Sequence, residues 1–364
     1  MTEIALVHDW LNQHGGAERV LEQLMVAFPG SPLYTSIYWA DGLPAAYRAW
    51  DIRPSWLNLL PGIHRHHQWY FPLYAMMFAN LNLGNQGYEL VLSNKSGFSH
   101  GVRTGETPHL CYCLTPTRYV WDYEAYTARE NIAPIIKSGL KPLVSLLRRW
   151  DYTVAQRPTL QFVAISTEVQ QRIRTHYGRD AKIIHPPVDV SRYYPSRRHD
   201  DYYMIISRLA PYKRIDLAVQ AFTRLGLPLL IAGDGRDRKA LEAMAGPTIT
   251  FLGRVPDEDL IGLLPRCRAL IFPGCEDFGL TPVEAQAAGR PVIAYGAGGA
   301  LDSVVEGITG TFFREPTVES LMEAVQTFDA RSIDPAACRA NAERFGVERF
   351  KRELLTTIDL LLAK

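Results

Sequence analysis

Short apolar runs alternate with helix-patterned segments along almost the whole chain, and one proline-rich stretch interrupts the alternation. That pattern restricts the fold to layered α/β structure with parallel strands, because parallel neighbours need a long crossover and the crossovers here have helical spacing. The first series opens with Ile4–Val7, passes through His8-Asp9-Trp10 and the glycine pair Gly15-Gly16, and enters the helical spacing of Ala17–Met25. Further strand-like runs stand at Leu90–Ser93, His109–Leu114 and Gln161–Ser166, the last leading into a helix pattern over Thr167–Tyr177.

The interruption is Pro186-Pro187-Val188-Asp189 through Pro195, where prolines and turn formers break every period. Beyond it the pattern resumes. Strands are expected at Tyr203–Ser207, Pro228–Ala232, Ile249–Leu252, Ala269–Phe272, Pro291–Ala294 and Gly310–Phe313. Helices are expected at Asp216–Arg224, Arg236–Ala245, Asp257–Pro265, Thr281–Ala288 and Val318–Phe328. The expectation is two doubly wound parallel-sheet domains over residues 1–190 and 191–345, with a closing helix, 346–364, packing back on the first. Ligands of such sheets sit beyond the carboxyl ends of the strands, so two facing sheets would place a site in a cleft between them.

A chain of 364 residues, 47% apolar and 21% charged, can bury two such cores. With 39 basic against 38 acidic residues the net charge is +1, which gives no electrostatic argument for nucleic-acid binding. Cys111, Cys113, Cys267, Cys275 and Cys338 show no metal-ligand or disulfide spacing and are expected to be reduced and packed in a cytoplasmic protein. Met1-Thr2-Glu3 runs into an apolar strand-like run without a basic n-region, so no signal peptide is expected, and no run reaches the ~18 apolar residues of a spanning helix.

Two segments carry chemistry. In Glu276-Asp277-Phe278-Gly279-Leu280-Thr281-Pro282-Val283-Glu284 a strand feeds a glycine turn, and the helix that follows has proline in its first turn, where a missing N–H costs nothing. Backbone N–H groups at such a helix start can cradle a phosphate. In Ser207-Arg208-Leu209-Ala210-Pro211-Tyr212-Lys213-Arg214 another post-strand loop brings two cations, Arg208 and Lys213, within reach of one pyrophosphate. Either segment alone could be a solvated loop or a helix start favouring acids. Their joint occurrence in one half of the chain favours a phosphate-bearing ligand.

Arg208…Lys213 together with the Glu276-x7-Glu284 string resembles glycosyltransferase family 4, retaining enzymes of the GT-B fold that use nucleotide-sugar donors. The resemblance extends to Gly15-Gly16-Ala17-Glu18 and Gly298-Gly299, and Cys111–Asp122 is similar to bacterial polysaccharide mannosyltransferases. It implies that Arg208 and Lys213 bind the diphosphate, Glu276 the donor-sugar hydroxyls and Glu284 the ribose. Gly15, Gly16, Phe278, Gly279, Leu280 and Thr281 then complete the donor site. Many members of the family have an active-site histidine in the N-terminal domain, for which this chain offers Ser96 or His100, and Leu114 stands where those mannosyltransferases often have histidine. Asp9, Arg118 and Asp122, with His100, are expected on the acceptor side. The implied reaction moves a hexose, mannose from GDP-mannose as the favoured reading, to a lipid-linked or polysaccharide hydroxyl without metal. A nucleotide-sugar epimerase or hydrolase, or a non-catalytic sugar-nucleotide sensor, are the alternatives.

Three competing signals remain. Gly97-Phe98-Ser99-His100-Gly101 matches a GxSxG nucleophile elbow, but the following segment to Pro108 lacks the helix an elbow must open. Asp257-Glu258-Asp259 has DxD spacing, yet it follows Pro256 at a helix start, which explains it without metal. Residues 53–83 are dense in aromatic, basic and histidine side chains, and suit either an interfacial membrane helix or an interior helical hairpin.

Overall fold

The computed structural model describes residues 3–124, 127, 134–196 and 198–363. Met1 and Thr2, where no signal peptide is expected, lie outside the described residues. The chain divides into two units, Met1–His185 with Lys351–Lys364, and Pro186–Phe350.

In the first unit a parallel sheet is built from β1 (Ile4–His8), β2 (Leu33–Thr35), β3 (Ile52–Pro54), β4 (Leu90–Lys95), β5 (His109–Cys113), β6 (Leu160–Ala164) and β7 (Ala181–Ile183), in the order β3-β2-β1-β4-β5-β6-β7. Strands β1, β4 and β5 are buried along their whole length, as a sheet covered on both faces requires. One face packs Phe78, Phe98, Val102 and Leu147, drawn from connecting segments and from the helix Pro134–Ala155.

The second unit repeats the plan with β8 (Tyr203–Ile206), β9 (Leu229–Ala232), β10 (Ile249–Gly253), β11 (Leu270–Phe272), β12 (Val292–Tyr295) and β13 (Gly310–Phe313), all parallel, in the order β10-β9-β8-β11-β12-β13. Its core joins Phe222 and Val219 of the helix Ile215–Leu225 to Leu321 and Val325 of the helix Val318–Thr327, over Ile205, Ile231 and Ile271. Strand order reverses between β1 and β4 in the first sheet and between β8 and β11 in the second. Those are the switch points where neighbouring loops diverge and leave room for a ligand.

The second unit begins at Pro186 rather than 191, because the Val188 N–H donates to the Phe345 carbonyl at 2.9 Å and Val188 bridges to Gly346. Its far end runs to Phe350, buried within the helix Val347–Leu362. From Lys351 that helix belongs to the first unit, where Lys182 Nζ donates to the Thr357 hydroxyl at 3.1 Å.

Candidate functional site

In the second unit the loops leaving β8 and β11 flank the switch point and interlock. The first contains a short 3-10 turn, Pro211–Lys213, and ends at Arg214, whose φ of 52° makes it the one non-glycine residue in the left-handed region among those described. A left-handed non-glycine backbone costs about 1–2 kcal/mol. Arg214 is held there beside Asp216, its Nε donating at 3.1 Å, and the helix Ile215–Leu225 starts immediately after it. This reversal points Lys213 back over the loop from β11, where its ammonium forms an ion pair with the Glu276 carboxylate. The two side chains retain 16% and 18% exposure, enough to meet a solute. Arg208, on the same loop, is exposed.

Glu276 is fixed from behind by the loop that follows β12. The Gly299 N–H donates to the Glu276 carbonyl at 2.9 Å. A Cβ at Gly299 would lie 2.1 Å from Phe278 Cα, and one at Gly298, where φ is +65°, would lie 2.4 Å from the Glu276 carbonyl oxygen. Only glycines permit this backbone-on-backbone contact. Phe278 is buried against Phe345, with ring centroids 5.6 Å apart. Gly279 then opens the helix Leu280–Ala287 with no side-chain cap, so first-turn N–H groups that have no intrahelical partner face the start of that helix. Thr281 lies in this turn and is half-buried, while Glu284, one turn further, is buried. Cys275, expected to be packed, is exposed instead, because it sits in the loop beyond the end of β11; the other four cysteines are buried, and none of the five is in a disulfide.

A contribution absent from the sequence reading is Gly233-Asp234-Gly235, directly after β9. Its Asp234 carbonyl accepts from the Leu209 N–H at 3.0 Å and so braces the loop that bears Arg208. The Gly-x-Gly spacing after an apolar run was the available signal.

In the first unit Asp9 is not a solute-facing group. It lies at the end of β1, fully buried, and its carboxylate accepts from the backbone N–H groups of Ser96 at 2.6 Å, Gly97 at 2.7 Å and Ser99 at 2.7 Å. Asp9 therefore ties the loop after β4 to β1 across the switch point. Gly15 is the extended N-cap residue of the helix Gly16–Ala27, again with no side-chain cap, and Gly16 is exposed. Asn94 Nδ2 donates to the Ala17 carbonyl at 3.0 Å, so this glycine loop is also anchored on β4.

His100 departs furthest from expectation. It is 0% exposed, lies in the 3-10 turn Ser99–Gly101, and is surrounded by the rings of Trp150, Phe162 and Tyr177. Burial and the charge of Lys95 push its pKa well below the usual histidine value. Its Nε2 lies 3.3 Å from Asp151, a buried carboxylate that accepts from Trp121 Nε1 and the Tyr177 hydroxyl, each at 2.7 Å. His100 is a core histidine and touches no open surface. Ser99 is equally buried, its hydroxyl donating to the Asn94 carbonyl at 3.3 Å, which removes the nucleophile elbow. Ser96, half-buried, donates to Asp9 through both its N–H and its hydroxyl. Arg118 starts the short helix Arg118–Trp121 and Asp122 ends it, both half-buried.

Two further segments resolve. Asp257 and Asp259 occupy the first turn of the helix Asp257–Leu263, and Asp257 pairs with Arg192 at 3.4 Å. Residues 53–83 divide their side chains: Leu57, Ile63, Tyr74 and Phe78 are core, whereas Trp56, Leu59, Trp69 and Met76 are exposed. Among the described residues no helix is long and apolar enough to cross a membrane.

Residues 193–345 match the family model described as Glycosyl transferases group 1. Similar curated proteins include D-inositol 3-phosphate glycosyltransferase of Mycolicibacterium paratuberculosis, 28% identical over 266 residues (66% of this chain, 60% of that protein). The protein of the same name from Mycobacterium bovis is 31% identical over 183 residues, 43% of this chain and 38% of the relative. The matches thus span about 60% or less of these relatives' own length. Among solved structures, Anabaena Alr3699/HepE in complex with UDP and glucose superposes with TM-score 0.73 at 18% identity, covering 99% of this chain and 100% of that one. Sucrose-phosphate synthase from Thermosynechococcus elongatus gives TM-score 0.72 at 18% identity, with 99% of each chain covered. The chain has two parallel-sheet α/β domains with the fold of GT-B structures, and residues 193–345 of the second unit are similar to group 1 glycosyl transferases.

Proposed function

We propose that this protein is a glycosyltransferase that moves a hexose from a nucleoside-diphosphate sugar to an acceptor hydroxyl, with retention and without a metal. The observation that carries the reading is the Lys213–Glu276 pair at the switch point of the second sheet, with exposed Arg208 on the same loop as Lys213 and the uncapped start of the helix Leu280–Ala287 just after Glu276. As the bond to the sugar breaks, charge accumulates on the departing diphosphate. Two cations and a helix N-terminus fixed in advance around that position stabilise it more than they stabilise the ground state. Glu276, whose backbone is held by the Gly299 N–H, can turn its carboxylate from Lys213 to a sugar hydroxyl once phosphate neutralises the ammonium. The buried Glu284 is assigned to the ribose.

The acceptor is assigned to the first unit, through Arg118 and Asp122, and is read as lipid-linked or saccharide. The reading places the reaction in the cytoplasm, at the inner face of the membrane. GDP-mannose is the donor favoured by the likeness of Cys111–Asp122 to polysaccharide mannosyltransferases. A UDP-hexose is the second reading, supported by the similar structure described with UDP and glucose.

Thermal melting of the full chain with GDP, UDP, dTDP and ADP tests this, since a ligand of the folded state alone raises its stability. One diphosphate should raise the melting temperature with EDTA present, and its sugar conjugate should then support transfer in EDTA. No shift with any nucleotide would overturn the reading, and activity restored only by Mn²⁺ would overturn its metal independence.

A further inference from the structure

The candidate site lies at the carboxyl ends of the second sheet's strands. At the amino end of β12, on the opposite edge, the second unit has a cavity of about 470 Å³ lined by His199, Arg290, Arg331, Ser332 and Asp334. A strand of four residues separates the two edges by roughly 13 Å. The volume falls in the range of small-molecule sites.

Arg290 makes this cavity chemically specific. It is 2% exposed, its Nε has no hydrogen-bond partner, and among the described residues no carboxylate pairs with its guanidinium. Its charged neighbours would be the thiols of Cys267 and Cys338, but burial pushes both up to about 12, so they are neutral at physiological pH and supply no counter-charge. The residue is fixed by its backbone: Gly289 turns at φ +75° against Pro195 and Pro335, and the Arg290 N–H donates to the Ala285 carbonyl at 2.8 Å. The one carboxylate in the lining, Asp334, is engaged as the cap of the helix Pro335–Glu343, accepting from the Ala336 N–H at 3.0 Å. A guanidinium removed from water without an anion is costly, and a chain that retains one beside a cavity leaves the anion to a ligand.

We infer that this cavity is a second ligand site, taking the phosphate of a small phosphorylated metabolite of sugar size against Arg290, with His199, Arg331 and the Ser332 hydroxyl at its rim. The inference is independent of the proposed transfer reaction, since the residues and the sheet edge are different. The shared chemistry is a phosphate group, carried either by inorganic phosphate or by a sugar monophosphate, and cavity size favours the second.

Calorimetric titration of inorganic phosphate and, separately, of glucose 6-phosphate into the full chain tests it. The chain carries Arg208→Ala and Lys213→Ala, so that the first site has lost its cations. Both probes should bind, glucose 6-phosphate about tenfold more tightly, a gap of about 1.4 kcal/mol. Arg290→Met, which keeps the apolar stem, should abolish both. Ser332 is exposed, so Ser332→Glu should leave melting unchanged while weakening both by at least about tenfold, and this variant decides the matter if Arg290→Met does not fold. Equal affinity for the two probes would identify free phosphate as the ligand. No binding of either, or binding indifferent to Ser332→Glu, would overturn the inference.

Discussion

Lys213 and Glu276 neutralise one another across two loops that enter from opposite sides of the β8–β11 switch point. On the proposed function the pair holds a cation in place that a diphosphate would draw away from Glu276, because it would bring more charge to Lys213 than one carboxylate does.

Removing either cation should therefore act on the chemical step. Lys213→Ala and Arg208→Ala are each expected to slow transfer by at least ~100-fold, the scale of losing one preorganised donor to a developing anion. Glu276→Gln frees Lys213 and should leave nucleotide diphosphate affinity equal or tighter while the rate collapses. Steady-state kinetics beside calorimetry separate these effects, and near wild-type turnover in both cation variants would remove the diphosphate assignment.

The glycine contacts give a stability prediction with an internal control. Gly299→Ala puts a methyl 2.1 Å from Phe278 Cα, so the Glu276 loop must shift, at a cost of about 1–3 kcal/mol and with loss of nucleotide binding. A Cβ at Gly262, inside the helix Asp257–Leu263, would meet no atom within 4 Å among the described residues beyond its own helix, and Gly262→Ala should stabilise by roughly 0.5–1 kcal/mol. Urea melts of the two variants should move in opposite directions; a Gly299→Ala chain as stable as wild type would contradict the loop-on-loop packing.

Much of the candidate site's local geometry was legible because each half of it is contiguous. Glycine, proline and the two glutamates in Glu276–Glu284 specify turn, helix start and spacing within one stretch of chain. His100 was illegible for the opposite reason. Its surroundings are Trp150, Phe162 and Tyr177, from segments well downstream, so no local pattern showed that a histidine beyond a strand would be sealed in the core. Asp9 misled likewise, since its three N–H donors come from the loop after β4. Strands β2, β3 and β7 are three residues each, too short to show a period of two. Pro142 within Pro134–Ala155 disguised the longest helix of the first unit.

Burial of neutral histidines makes the first unit acid-sensitive. Burial, reinforced by the charge of Arg157, lowers His109 from 6.5 to about 3, and its Nε2 is 2.8 Å from the Ser93 hydroxyl. The unfolded chain thus takes up a proton that the folded one refuses. Stability is full above pH 6.5 and falls as pH drops from about 6.5 toward 3, by up to about 1.4 kcal/mol per pH unit for this group. His100 acts in the same direction, against the opposing shift of its neighbour Asp151, whose carboxyl burial pushes up. Urea unfolding at pH 6.5 and 5.5 should show a loss in wild type that His109→Gln reduces by about 1 kcal/mol. Identical pH dependence in the two proteins would exclude a buried neutral His109.

The side chains that residues 53–83 turn outward define the last prediction, a peripheral membrane contact. Leu59 is 86% exposed and Trp69 76% exposed, and Arg65 and His66, both exposed, lie between them in the chain. Apolar rings and stems beside basic groups are the composition of a surface that meets anionic headgroups, with aromatic residues at the level where water gives way to acyl chain. The buried members of the same segment, Leu57 and Phe78, anchor it to the first unit's core, so the outward set can be changed without disturbing the fold. Vesicles containing a fifth or so of anionic lipid should carry the protein upward in flotation, less so in high salt, where the electrostatic part is screened. Leu59→Ser with Trp69→Ser should abolish flotation at unchanged melting temperature, and Arg65→Gln should weaken it mainly at low salt. Flotation of the double variant equal to wild type would assign any membrane contact to another surface, and no flotation of wild type at any salt would leave residues 53–83 as the amphipathic wall of the first unit alone.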